Sequence, residues 1–193
     1  PVTATQVAAW RRELLDGWEP LARQLAPAVA ELAVTLRPEQ LDHLRGALAR
    51  ANEKAAAKYY PADPAKRPTA RYRSLVNRTQ SFLGEASDAQ KAAIHQSLPA
   101  ALEQARLWWQ ARLARQQAVV DLLEALALEK PAPAEAERRA RAVLVGLFDA
   151  AGDGGDTDIL TARLLTLATP EQRDHLVSSL RDYRNDFRLL AAR

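Results

Sequence analysis

The pentapeptide Ala168-Thr169-Pro170-Glu171-Gln172 is a helix-start phrase that the chain repeats, with variations, three more times. A hydroxyl three residues before a glutamine is the capping-box arrangement. The hydroxyl oxygen accepts the amide proton of the third helical residue, and the glutamine side chain reaches back to the amide of the capping residue. A proline at the first helical position costs nothing, since that amide has no partner inside the helix. Each copy therefore predicts a helix start. The motif residues are Thr3, Gln6, Pro38, Gln40, Ser87, Gln90, Thr169 and Gln172.

The second copy departs from the pattern because Arg37 stands where the other copies have Ser or Thr, so it lacks the hydroxyl cap. Apolar residues follow every copy at the same two distances, four and eight residues after the glutamine. Such positions lie on one stripe of a helix, so each copy predicts a helix whose stripe faces the core. The stripe residues are Trp10, Leu14, Leu44, Leu48, Ile94, Leu98, Leu176 and Leu180.

The composition favours a helical fold. The chain has 193 residues, of which 48% are hydrophobic and 26% are charged, as is typical of a globular chain that buries a sizeable core. Ala and Leu together supply 69 residues and Gly only 7, which favours helices over sheets. We expect an all-α fold, an elongated bundle of about six to seven helices with long kinked helices.

Caps, prolines and glycines predict the helix boundaries. The predicted helices cover about Thr3–Val34, Pro38–Tyr59, Thr69–Leu83, Ser87–Leu128, Ala134–Ala150, Thr157–Leu167, and Pro170 almost to the end. We expect the first to bend near Pro20 and to be interrupted near Pro27, and the fourth to kink or restart at Pro99. We expect a single domain over residues 1–193, with 134–193 as a possible subdomain after a proline-containing linker at 130–133.

The composition also excludes several classes of function. Without cysteine, the chain has no disulfide, thiolate-ligated metal or thiol chemistry. No apolar stretch reaches the ~18 residues of a membrane span, and no signal peptide is present. The net charge of +3 is small for a nucleic-acid-binding domain, so no nucleic acid partner is expected. Because the sequence begins with Pro rather than Met, we expect a mature or trimmed fragment whose only membrane contact is a removed lipid anchor.

Candidate metal ligands cluster in one glycine-rich loop. They are Asp149, Asp153, Asp156 and Asp158. Their spacing on a flexible loop suits Ca²⁺ but lacks the bidentate Glu of an EF-hand, and a helix C-cap at Gly152 followed by an N-cap at Asp156 is the interpretation that we prefer. Calcium at this loop therefore stays an open question. The three histidines, His43, His95 and His175, form no i, i+4 pair.

No catalytic constellation is visible in the sequence. A Ser-His-Asp trio needs a nucleophile motif, and none is found. The acids Asp182 and Asp186 are four residues apart among arginines, which surface ion pairing explains. We expect no catalytic residue, no metal site and no cofactor, and we expect that the protein is not an enzyme.

A cationic segment is the first candidate for partner contact. No acid interrupts it between Asp63 and Glu85. Its members are Lys66, Arg67, Arg71, Arg73 and Arg78. Two interpretations stay open, a solvated helix face and a surface for an anionic partner. If the segment binds a partner, we expect Arg67, Arg71 and Arg73 to be the binding residues.

Aromatic residues are the second candidate. Trp108 and Trp109 lie among arginines, and adjacent helical positions diverge by about 100°, so the two rings do not face the same core. Together with Tyr59 and Tyr60 they suit a partner or client surface, because exposed aromatics beside arginine are typical of interfaces. Ordinary packing across two helix contacts is the other interpretation, and the sequence alone favours it.

Two resemblances rest on these motifs. The phrase Ala168–Arg173, with its looser copies, resembles the LTxxQ motif of the Spy/CpxP group of bacterial periplasmic stress proteins. The chain from Val2 to Val120 resembles a large family of uncharacterised bacterial lipoproteins. The matching stretches are Pro1–Val7, Leu36–Leu44, Ala51–Lys54 and Trp108–Gln117. The chain departs from both patterns, since it lacks the lipobox Cys and the aromatic-rich first helix and is larger than a Spy-like protomer.

The resemblance implies an all-helical envelope protein that is tethered to a membrane through a lipidated N-terminal Cys. Spy-like members are ATP-independent chaperones that cradle unfolded clients. We therefore expect a non-catalytic domain in the bacterial periplasm, a lipoprotein in its full-length precursor, that binds protein partners or partly unfolded clients. The alternative is a dedicated structural or inhibitory protein with one cognate ligand.

Overall fold

The computed structural model describes residues 1–147 and 154–191, with side chains through Leu189. These residues form α-helices, one short 3-10 helix at Pro64–Lys66, and no strand, so the predicted all-α fold class is confirmed. The helices are α1 Ala4–Asp16, α2 Trp18–Ala33, α3 Pro38–Tyr59, α4 Arg67–Leu83, α5 Asp88–Gln96, α6 Leu98–Glu129, α7 Pro133–Gly146, α8 Gly155–Thr166 and α9 Pro170–Ala191.

The predicted boundaries are correct where a cap marks them, and the predictions made from prolines are correct at Pro99 and wrong at Pro27. Helix α3 has the predicted bounds. The first predicted helix is divided at Gly17, three residues before Pro20. Pro20 lies in the first turn of α2, where its missing amide costs nothing. The helix continues through Pro27, so the interruption predicted there is wrong. The fourth predicted helix is divided at Ser97 and restarts at Leu98, one residue before Pro99, so the predicted restart is confirmed.

The chain folds into two compact units, each built from separate stretches. The first unit contains Pro1–Val7, Asp63–Gln104 and Gly155–Arg193, and the second contains Ala8–Ala62 and Ala105–Gly154. The predicted segment 134–193 therefore contributes α7 to the second unit and α8 and α9 to the first.

The core of the first unit lies where α4, α5, α8 and the start of α6 meet. Four buried residues form it: Leu75, Ile94, Ala101 and Leu160. Tyr72, Val76 and Leu164 pack against this cluster.

The core of the second unit is an alanine-rich contact between α2 and α7. The buried face of α2 consists only of alanines, at positions 22, 26, 30 and 33, and it meets Ala136, Ala140 and Leu144 together with Leu122 and Leu126 of α6. Small side chains let the helix backbones approach closely. The Trp18 Nε1–H donates to the carbonyl oxygen of Leu144 at 2.8 Å, which fixes the start of α2 on α7.

The predicted inward stripe is only partly correct. Ile94 is fully buried, and Leu44, Leu48, Leu98 and Leu176 are half-buried. Three members are exposed and correct the prediction: Trp10 at 51%, Leu14 at 79% and Leu180 at 52%. In α1 and α9 the buried residues lie in the first turns, at Val7 and Gln172. A cap therefore marks where a helix begins and does not determine how far its apolar face stays covered. None of the described helices is long and apolar enough to span a membrane.

Candidate functional site

Three copies of the helix-start phrase form complete capping boxes. Ser87 N–H donates to Gln90 Oε1 at 3.0 Å, and Gln90 N–H donates to Ser87 Oγ at 3.2 Å. The pair Thr169 and Gln172 repeats this geometry at 3.1 and 3.2 Å. At the N-terminus the corresponding distances between Thr3 and Gln6 are 2.9 and 3.2 Å. The predicted capping role is confirmed, and all three boxes belong to the first unit.

The second copy is half a box, as the missing hydroxyl predicts. Arg37 N–H donates to Gln40 Oε1 at 3.0 Å, and Gln40 N–H donates to the backbone oxygen of Arg37. Pro38 occupies the first helical position of α3. Gln40 is exposed, so in this copy the glutamine does nothing beyond capping its own helix.

A buried glutamine pair joins the starts of α5 and α9. Gln90 Nε2–H donates to Gln172 Oε1 at 3.0 Å, and Gln172 Nε2–H donates to Gln90 Oε1 at 3.1 Å. Each amide also donates to a backbone carbonyl, Gln90 to Leu164 at 3.3 Å and Gln172 to Glu85 at 2.7 Å. Each glutamine thus caps its own helix and binds the other, with every polar atom of its side chain satisfied although both are buried.

Sequence reasoning missed this pairing, although one signal distinguishes the two copies involved. Only the third and fourth copies have alanine immediately before the hydroxyl residue. Those alanines, Ala86 and Ala168, are both buried. A small residue at that position lets the two helix starts approach each other, whereas the first two copies have Val2 and Leu36 there.

An open cleft of about 570 Å³ lies beside the glutamine pair, with Gly84 and Ala86 in its lining. Asp88 and Glu171 lie in the first turns of α5 and α9, where the helix dipole stabilises negative charge. The backbone amide of Glu171 and then the Thr169 hydroxyl lower the pKa of the Glu171 carboxyl. The positions of these acids are explained by the helix starts.

The structure brings four aromatic residues together in the second unit. Tyr59 and Trp108 meet edge to face with ring centroids 6.3 Å apart, and Tyr60 stacks on Trp109 at 6.1 Å. The two tryptophan rings are 6.2 Å apart. Trp108 is 44% exposed and Trp109 is half-buried, as the divergence of adjacent helical positions predicts. We call Tyr59, Tyr60, Trp108 and Trp109 the aromatic patch.

Two cations lie on the aromatic patch. Lys58 Nζ is 4.9 Å from the ring centroid of Tyr59, and Arg112 Cζ is 5.9 Å from that of Trp108, both within cation–π distance. Arg112 Nε–H also donates to Asn52 Oδ1 at 3.2 Å, and Asn52 Nδ2–H donates to Gln116 Oε1 at 2.7 Å. These bonds tie α3 to α6 beneath the patch, so the rings are held by two helices.

The cationic segment belongs to the first unit and the aromatic patch to the second, so each stays a separate prediction of a partner-binding surface. Arg71 is half-buried, and burial, followed by the charge of Arg78, lowers the pKa of its guanidinium. Its Nε–H has no partner in the described part of the chain. Arg73 is exposed, and Lys66 Nζ lies 3.8 Å from Asp63 Oδ2. Arg67 is half-buried in the first turn of α4.

No metal site emerges from residues 1–147 and 154–191, where no group of three or more His, Asp or Glu side chains is placed to hold an ion. The three histidines are exposed. In the glycine-rich loop, Asp149 and Asp153 lie outside the described residues, while Asp156 and Asp158 lie in the first turn of α8.

A family model described as "Family of unknown function (DUF6279)" matches residues 1–143. No curated protein and no solved structure matches the chain. The matched region ends before α8 and α9, so it includes the aromatic patch, the first three helix-start phrases and Gln90, but not Gln172.

Proposed function

Since the chain belongs to the DUF6279 family, for which no function is known, we propose a function from its surface: a non-catalytic protein of the bacterial envelope that binds protein partners or partly unfolded clients. The aromatic patch is the observation that supports this proposal. Ordinary core packing would bury the rings, yet Tyr59 and Trp108 keep more than a third of their surface exposed.

Aromatic rings held in fixed positions suit the binding of unfolded segments. A tryptophan or tyrosine offers a large apolar face with few side-chain torsions to immobilise, so little entropy is lost on contact. Leu107 and Leu113, on the same helix as the two tryptophans, are also exposed. Contacts of this kind accept many sequences and release them without ATP, because each contact is weak and none depends on one exact partner shape.

The envelope location is supported by the resemblance of the helix-start phrases to the LTxxQ motif and of residues 2–120 to bacterial lipoproteins. The gene sequence upstream of Pro1 and fractionation of the full-length protein test this location. We expect a signal peptide that ends in a lipobox Cys, and recovery of the full-length protein with the membrane. A cytoplasmic start without a leader contradicts the location while leaving the binding proposal intact.

Aggregation assays with at least three unrelated denatured clients test the binding itself. We expect suppression of aggregation for all of them without nucleotide, and a large loss of suppression in Trp108→Ala. The matched control is Trp10→Ala, because Trp10, at 51% exposed against 44% for Trp108, is no less accessible but lies outside the aromatic patch. If the wild-type protein leaves every client unaffected, the chain is no general client binder and the dedicated-partner alternative is favoured. Equal losses in both variants would contradict the role of the patch.

A further inference from the structure

Among the described residues, the cations on the aromatic patch have no acidic partner. Elsewhere in the second unit, several arginines are paired with carboxylates, as Arg45 is with Glu124 and Arg139 with Glu129. Lys58 and Arg112 instead lie over aromatic rings, and no described carboxylate lies within ion-pair distance of either. Two positive charges without a described carboxylate nearby therefore lie over the exposed rings of Tyr59 and Trp108.

The two stretches of sequence that carry the aromatic patch contain no carboxylate between the acids that bound them. Between Glu53 and Asp63 the chain has two lysines and no carboxylate, and between Glu103 and Asp121 it has three arginines and none. The five cations are Lys54, Lys58, Arg106, Arg112 and Arg115. Because the whole chain is only +3, this local excess is not a property of the surface in general.

We infer that the aromatic patch selects extended, acidic segments, in which Asp or Glu flanks aromatic or aliphatic residues. This inference rests on the proposed function and names the class of client. The rings would contact the apolar side chains of the segment, while Lys58 and Arg112 would meet the flanking carboxylates. A segment with lysines in the flanks would bring like charges together on the same surface, which disfavours its binding.

Two labelled peptides test this selectivity. They share one Phe- and Leu-containing centre, and their flanks are glutamates in one and lysines in the other. Two exposed ion pairs correspond to about a fivefold difference in affinity at low salt. We expect the acidic peptide to bind the full chain about fivefold more tightly, and the difference to shrink as salt screens the charges.

The variant K58Q/R112Q removes both cations and should abolish the preference. The charge-matched control is R12Q/R37Q, which removes two exposed cations of the same unit, one of them at the opposite end of α3 from Lys58. It should keep the preference, as should K58R/R112K, which keeps both charges. Circular dichroism of each variant checks that the helices are retained.

The outcomes separate the inference from the proposed function. If both peptides bind the wild-type chain equally and Trp108→Ala weakens both, the patch binds clients but the acidic selectivity is wrong. If R12Q/R37Q removes the preference as K58Q/R112Q does, net charge and not the patch explains it, which also overturns the inference. If neither peptide binds, both fail. A dimer that Trp108→Ala dissociates would show that a second copy covers the rings, which overturns the inference as well.

Discussion

Replacing Gln90 by Ala should destabilise the first unit far more than the loss of an ordinary helix cap. Gln90 is 0% exposed and hydrogen-bonds to Ser87, Leu164 and Gln172. Loss of the hydrogen bond from Ser87 N–H to Gln90 Oε1, the reciprocal half of the capping box, costs about 1 kcal/mol. The buried amide of Gln172 loses a donor and an acceptor partner, which adds about 1–3 kcal/mol. We expect the free energy of unfolding to fall by about 2–4 kcal/mol, measured by urea denaturation followed by circular dichroism.

The matched control is Gln40→Ala, because Gln40 makes the same contact with its N-cap amide but is exposed and pairs with no second glutamine. Its cost should be about 0.5–1 kcal/mol, the worth of one exposed hydrogen bond. A Gln90→Ala cost no larger than this would refute the argument that the pair matters beyond capping.

A double-mutant cycle isolates the contact between the two amides. Gln172→Ala should cost about as much as Gln90→Ala, and the double variant should cost about 1–2 kcal/mol less than the sum, since the second substitution removes a pair that is already broken. Additive costs within about 0.5 kcal/mol would show that the two glutamines act independently. Hydrogen exchange at the first amides of α5 and α9 should report faster opening of both helices in either single variant.

Two further predictions concern the second unit. Leu126→Ala should lower the free energy of unfolding by about 2–5 kcal/mol in urea denaturation, because Leu126 is fully buried in the core with residues of α2 and α7. The control is Leu128→Ala on the same helix, which should change stability by less than about 0.5 kcal/mol because Leu128 is 86% exposed. Similar costs for the two variants would contradict the described core. Hydrogen bonds from Arg138 and then from Arg139 lower the pKa of the Glu135 carboxyl from 4.5 to about 2. The contribution of this carboxylate to stability is therefore present at neutral pH and is lost as the pH falls from about 4.5 towards 2. An NMR titration of Glu135 with an ordinary midpoint would contradict these ion pairs.

The sequence predicts best what local chemistry decides. Helix α3 begins and ends where Pro38 and Tyr59 were predicted, because its cap and its following loop are set by neighbouring residues. The division at Gly17 was missed because a proline such as Pro20 is a breaker inside a helix and harmless in a first turn, and the sequence alone does not distinguish these positions.

What depends on contacts between distant segments was not predictable in the same way. The pairing of Gln90 with Gln172 needs two helix starts 82 residues apart to meet, and only the shared alanine before each hydroxyl points to it. The exposure of Trp10 was missed for the same reason, since an apolar stripe shows which face of a helix is ready to be covered but not whether another element covers it. The aromatic patch was foreseen as a set of residues, and the structure adds the contacts within it.

The most direct test of the binding proposal is site-specific photo-crosslinking to a denatured client. A photoreactive phenylalanine analogue replaces Trp108 in one variant and Trp10 in another, so that two exposed tryptophan positions on different helices are compared. We expect covalent adducts with several unrelated clients from position 108 and few from position 10. Equal labelling at both positions, or none from position 108, would contradict it.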